Sequence, residues 1–186
     1  MWDIFQYIGV LGPYILIGFS CMYLWTNQQI IHLQYFGAGA AFNMFINLII
    51  KTLVQQPRPK EDLTIGDNKY EFGLTDEGKR SGTDRFGMPS GHAQTSAYCL
   101  AFMAPIFSAV SASVSSHFPF SYFFFVYLAI STGTVIQRIV YKHHTFPQIG
   151  VGLVLGAIIG TATYRLAKRT IKGVLQKKED DWRFNT

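Results

Sequence analysis

IIHLQYFGAGAAFNMFINLIIKTLVQQPRP, residues 30–59, is the stretch whose reading decides the fold. From Ile30 to Val54 it carries one charge, Lys51, near its end. About 20 mostly apolar residues cross a bilayer as a helix, which satisfies its own backbone polar groups without water. The run is read as a membrane span. Pro57 bends the chain before Arg58 and Pro59 ends the helix.

Outward from that run, the same length criterion picks four more. Ile4–Trp25 is uncharged, with Pro13 as a kink. Ala93–Val114 has no charge, Phe118–Ile136 is aromatic-rich, and Ile149–Tyr164 is Gly-rich and ends at a basic tail. The expectation is an all-α integral membrane helical bundle of about five spans, forming one domain over residues 1–186. Met1-Trp-Asp has no basic stretch, so the first run reads as an anchor and not as a cleaved signal peptide. Thr26–Gln29 and Ser115–His117 are hairpin-length links. Residues 55–88 form a long polar segment with room for short helices. Gly152, Gly156 and Gly160, four apart, present small residues on one helix face for close packing.

Composition agrees. Apolar residues make up 49% of the 186 and charged ones 15%, where about a quarter charged is usual for soluble domains. Of the sixteen Lys and Arg, seven lie in the tail: Arg165, Lys168, Arg169, Lys172, Lys177, Lys178 and Arg183. A basic tail over residues 167–186, beside an apolar run, points to anionic lipid headgroups and away from nucleic acid. Cys21 and Cys99 fall inside apolar runs and read as small buried hydrophobes. Neither metal nor cofactor is expected. A zinc site from His92, His143 and His144 would lack an acidic or cysteine partner at ligand spacing.

Three short blocks stand at the ends of these runs: Lys51 through Arg58-Pro59, then Pro89-Ser90-Gly91-His92, then Arg138 through His144 to Gln148. With alternating spans, all three fall on one side of the membrane. Lys51 and Arg58 are two helical turns apart and can converge on an anion; separately, each reads as an interfacial charge. Ser90 is a good N-cap, and a helix start with Gly91 presents free N–H groups to a phosphate.

The three blocks resemble the signature of the type-2 phosphatidic acid phosphatase / haloperoxidase superfamily: K-x6-R-P, P-S-G-H and R-x5-H-x3-D. The likeness runs from Lys51 to Gln148. It implies that Lys51, Arg58, Ser90, Gly91 and Arg138 bind phosphate, that His92 is the general acid, and that His144, in preference to His143, is the nucleophile. It also implies a phosphohistidine intermediate. The chain departs at Gln148, where the family's Asp accepts a hydrogen from the nucleophile's far nitrogen. A Gln carbonyl can accept the same hydrogen, while Thr145-Phe-Pro-Gln148 also reads as a capping box. Phe86–Gln94 looks more like the dolichyl diphosphate phosphatases, so a polyprenyl diphosphate is the first-choice substrate and phosphatidate or a similar lipid phosphate the second. A catalytically silent lipid-binding protein stays open as a third reading. The basic tail is expected in the cytosol, with the blocks on the lumenal or external face of the endoplasmic reticulum or of a plasma or inner membrane. The sequence leaves the oligomeric state open.

Overall fold

The computed structural model describes residues 2–59, 82–113 and 120–184. The link Ser115–His117 and most of the polar segment after Pro59 lie outside the described residues. The described residues form five long helices in chain order: α1 (Trp2–Thr26), α2 (Ile30–Val54), α3 (Gly91–Ser113), α4 (Phe120–Val140) and α5 (Phe146–Phe184). A short 3-10 helix, Gly82–Arg85, precedes α3.

Local chemistry sets the ends. After α1, Thr26 Oγ1 returns to the Met22 carbonyl and Asn27 Nδ2 donates to the Tyr23 carbonyl at 2.8 Å. α2 closes at Gln55, which turns left-handed (φ 49°) and donates its N–H to the Lys51 carbonyl. Pro147 sits in the first turn of α5, where its missing N–H costs nothing.

Among the described residues, four helical stretches are long and apolar enough to cross a membrane: Ile4–Thr26, Ile30–Val54, Tyr122–Val140 and Phe146–Lys178. α3, the sequence's third run, is not among them. It packs against all four other long helices, which shield it, so it can carry Gln94, Thr95 and Ser96 without meeting lipid. Tyr98, Cys99, Phe102, Met103, Ile106 and Phe107 on α3 form the core with Leu16, Leu24, Phe36 and Tyr127. Outward residues include Met22, Trp25, Phe42, Phe45, Phe125, Val154 and Ile158, a surface suited to lipid.

The expected glycine face lies at the tightest crossing. Gly152, Gly156 and Gly160 on α5 meet the backbone of Ser90, Gln94 and Tyr98, also spaced by four. A Cβ at Gly152 would stand 2.6 Å from the Ser90 carbonyl oxygen, so only glycine lets α5 come this near.

α5 is longer than the expected Ile149–Tyr164 span. Its 39 residues reach roughly 58 Å at 1.5 Å per residue, and a bilayer core is about 30 Å thick. Lys, Arg, Gln and Leu are good helix formers, so the helix persists through the basic tail. Tyr35, near the start of α2, shares a 2.7 Å hydrogen bond with Thr170 of α5. That contact sets the tail end of α5 opposite the end of α2 that carries Lys51.

Candidate active site

The site is built where α2 ends, α3 begins and the α4–α5 turn passes. An isolated β-bridge pairs Pro57 with Phe86, and Gly87 N–H donates to the Gln56 carbonyl at 2.8 Å. These bonds pin the first block against the segment leading into α3. Behind them lies a buried amide network. Asn47 Nδ2 donates to Gln94 Oε1 (2.8 Å) and to the Pro89 carbonyl (3.3 Å), while Gln94 Nε2 donates to the carbonyl and Oδ1 of Asn43, both at 2.9 Å. Buried amides are costly unless paired. This pairing therefore docks the start of α3 on α2 in one register.

Arg58 gathers the blocks. Its Nε and Nη2 donate to the carbonyl and Oδ1 of Asp84, both at 2.9 Å, and its Nη1 donates to the His143 carbonyl at 3.1 Å. The same Nη1 lies 3.3 Å from His144 Nε2. Lys51, a residue 6% exposed at the end of α2, has its Nζ 3.4 Å from Asp84 Oδ1.

His144 Nδ1 lies 2.8 Å from the Gly87 carbonyl oxygen. A carbonyl can only accept, so Nδ1 carries the hydrogen and Nε2 presents a lone pair toward Arg58. Burial, and then the charges of Arg58 and Arg138, hold this imidazole well below the usual histidine range. It is neutral at physiological pH, and a neutral imidazole is the form that can attack an electrophile. His143, by contrast, is buried with its ring stacked on Tyr141.

His92 is held differently. Arg138 Nη2 stands 2.9 Å from His92 Nε2 and also donates to the Gly9 carbonyl at 3.1 Å. Because guanidinium only donates, the hydrogen of neutral His92 sits on Nδ1, facing the Val10 backbone. Close approach of α1 makes this possible: a Cβ on Gly9 would collide with Gln137, and one on Gly12 with Thr134.

A cavity of about 250 Å³ opens among these groups. Its lining combines the polar residues Lys51, Arg58, Asp84, His92 and His144 with the apolar Pro13, Tyr14, Ile17, Met44 and Leu48.

Three expected site residues stand elsewhere. Ser90 is fully buried and does not line the cavity; its Oγ lies 3.5 Å from Ala93 N–H, at the cap of α3. Arg138 is 1% exposed and reaches the cavity through His92. Gln148 does not touch the far nitrogen of His144, which the Gly87 carbonyl takes instead. Its Oε1 accepts from Thr145 N–H at 3.1 Å, the capping-box bond, and its Nε2 donates to Gln56 Oε1 and the Pro57 carbonyl. This is a physical reason for the departure from Asp. A carboxylate here would face two acceptors, whereas an amide pairs with both. Gln148 still bears on His144, because a Cβ on Gly87 would come within 2.5 Å of its amide. Gln148 and Gly87 pack as one unit under His144.

Sequence reading missed Asp84, Gly87 and Asn47. Asp84 is one carboxylate in a long polar segment, and Gly87 acts through its backbone. Asn47 is one helical turn before Lys51, on the same face of α2, and that spacing was the one signal available.

No curated protein and no solved structure matches the chain. A family model does match, that of the PAP2 superfamily, over residues 32–172. The match starts in α2, passes through all three blocks and ends in α5, so the chain belongs to the PAP2 superfamily.

Proposed function

We propose that this protein removes the terminal phosphate from a membrane lipid through a phosphohistidine on His144. PAP2 membership supports phosphatase activity on lipid-like phosphates. The observation that carries the finer reading is the mixed lining of the cavity. His144 and the cations Lys51 and Arg58 line it together with the apolar Tyr14, Met44 and Leu48. These last three are 54%, 59% and 47% exposed, so the cavity's apolar lining continues onto the outer surface of α1 and α2. A phosphate headgroup fits the cations while its chain stays in the bilayer.

In this mechanism Nε2 attacks phosphorus as the bond to the lipid oxygen breaks. Arg58 and Lys51 neutralise the phosphoryl oxygens. A dianion beside His92 favours its protonated form. His92 then exchanges Arg138 for a proton on Nε2 and passes that proton to the leaving oxygen, while the freed guanidinium turns to the phosphate. Water, deprotonated by His92, cleaves the P–N bond and returns the enzyme with inorganic phosphate.

Between headgroups, Phe86–Gln94 favours a polyprenyl diphosphate. One observation favours a lipid monophosphate instead: Asp84 adds a negative charge to the cation wall. With the basic end of α5 in the cytosol, the site faces the lumen or exterior. The decisive assay is phosphate release by purified protein in detergent from dolichyl diphosphate and phosphatidate, with acid-labile phosphoenzyme trapped during turnover. No release from either lipid, with well-folded protein, refutes the proposal.

A further inference from the structure

We infer that Asp84 is a specificity-determining residue that limits how many phosphates the headgroup can carry. The inference rests on the phosphatase reading above and names the substrate class of that same site. A single oxygen, Asp84 Oδ1, is shared by Arg58 Nη2 at 2.9 Å and Lys51 Nζ at 3.4 Å, and its residue lines the cavity beside His92 and His144. Its main chain is held too: the Asp84 carbonyl accepts from Arg58 Nε at 2.9 Å, and Phe86 N–H closes the turn on Thr83. The carboxylate is thus a fixed part of the anion wall.

Guanidinium carries five N–H groups and ammonium three, so one cation can contact a carboxylate and a phosphoryl oxygen at the same time. Arg58 Nη1 already points toward His144 Nε2. Among the described lining residues the fixed charges are Lys51, Arg58 and Asp84, which leave one net positive charge, with Arg138 behind His92 adding a second. These two fixed positive charges balance the dianion of a phosphate monoester, and the proton that His92 takes up is passed on to the leaving oxygen. A second phosphate in the headgroup adds charge that this wall does not match, next to a carboxylate at short range. The cost is reduced by solvent because the Asp84 side chain is 34% exposed. At intermediate effective dielectric, one unit charge a few ångströms away still changes relative affinity by about tenfold or more.

The test compares farnesyl phosphate with farnesyl diphosphate, which share one chain, in wild type, Asp84→Asn and Asp84→Glu, each confirmed folded by gel filtration and thermal melting. Asp84→Asn is expected to raise the diphosphate-to-monophosphate ratio of kcat/KM about tenfold, and Asp84→Glu to return it toward wild type. Competition supplies a second readout that needs no turnover by the variant: pyrophosphate should gain affinity over orthophosphate by a similar factor, measured by calorimetry. An Asp84→Asn protein whose two substrates and two inhibitors all change by equal factors overturns the inference, making Asp84 a brace for Arg58 or a simple plug. If wild type releases phosphate from neither lipid, the phosphatase reading fails instead, and the pyrophosphate-to-orthophosphate affinity ratio alone decides the role of Asp84.

Discussion

The two cavity histidines are held in opposite ways. His144 lies in the turn between α4 and α5, with Nδ1 fixed by a backbone carbonyl and Nε2 turned to the cavity. His92 lies in the first turn of α3, with Nε2 taken by a buried guanidinium. A carbonyl partner fixes tautomer and ring direction while adding no charge, so His144 stays neutral. A guanidinium partner occupies the very nitrogen that must carry a proton in acid catalysis. In the proposed mechanism, therefore, one ring is ready at rest, and the other becomes competent only when a bound phosphate draws Arg138 away.

The severest way to break this contrast is to remove the ready ring. His144→Ala is expected to lower turnover by a factor on the order of 10⁵ or more and to abolish the phosphoenzyme. His143→Ala should keep both, since its ring packs on Tyr141 away from the cavity lining. Phosphoenzyme that survives His144→Ala would assign the nucleophile elsewhere.

A smaller effect tests how the ready ring is held. Gln148→Ala should slow turnover roughly 10- to 100-fold, the usual consequence of losing a group that orients a reactive imidazole at one remove. It should also cost about 1 kcal/mol of stability as the cap is lost. Gln148→Glu should fare no better, because its carboxylate would face Gln56 Oε1 and the Pro57 carbonyl. Full activity in Gln148→Glu would show that Gln148 has no hold on Gly87. Wild-type turnover in Gln148→Ala with lowered thermal stability would reduce the residue to a helix cap.

The protonation of His144 gives a third handle. Its folded pKa is lowered, so the neutral form persists below the ordinary value of about 6.5, and the acid limb of kcat/KM should fall below that pH. By linkage, the folded state takes up fewer protons than the unfolded chain in this window, so stability also declines as pH drops through it. Arg58→Gln removes one cationic contribution but leaves the larger one, burial. The limb should therefore move up only part of the way. A limb that moves down, or a wild-type limb above 6.5, contradicts the assignment.

The smallest expected effect is none. Lys51, Arg58 and Arg138 supply cationic charge for a phosphate, so 10-fold excess EDTA over protein should leave turnover unchanged, where an absolute Mg²⁺ requirement would defeat the mechanism.

Much of the fold was legible because a membrane reduces the choices. Long uncharged runs have one low-energy answer, the helix, and the four-residue spacing of Gly152, Gly156 and Gly160 marked the face that meets α3. α3 itself was less legible. Its run resembles a span, yet its polar residues make sense only once four neighbours enclose it. The length of α5 was hidden for a related reason, since apolarity marks where a helix meets lipid and says nothing of how far it continues in water.

At the candidate site, the sequence by itself determined the reactive types and their order: cations at Lys51 and Arg58, a helix start at Ser90–His92, and an arginine six residues before His144. Tertiary structure alone decided which atoms meet. Gly87 orients His144 through a main-chain oxygen, which no side-chain pattern encodes. Asp84 joins Lys51 and Arg58 from a distant part of the chain, and Gln148 turns its amide to Gln56 and Pro57. Such partnerships depend on distances of about 3 Å between segments far apart in the chain. Sequence specifies the groups, and only the packed backbone brings them within hydrogen-bonding range.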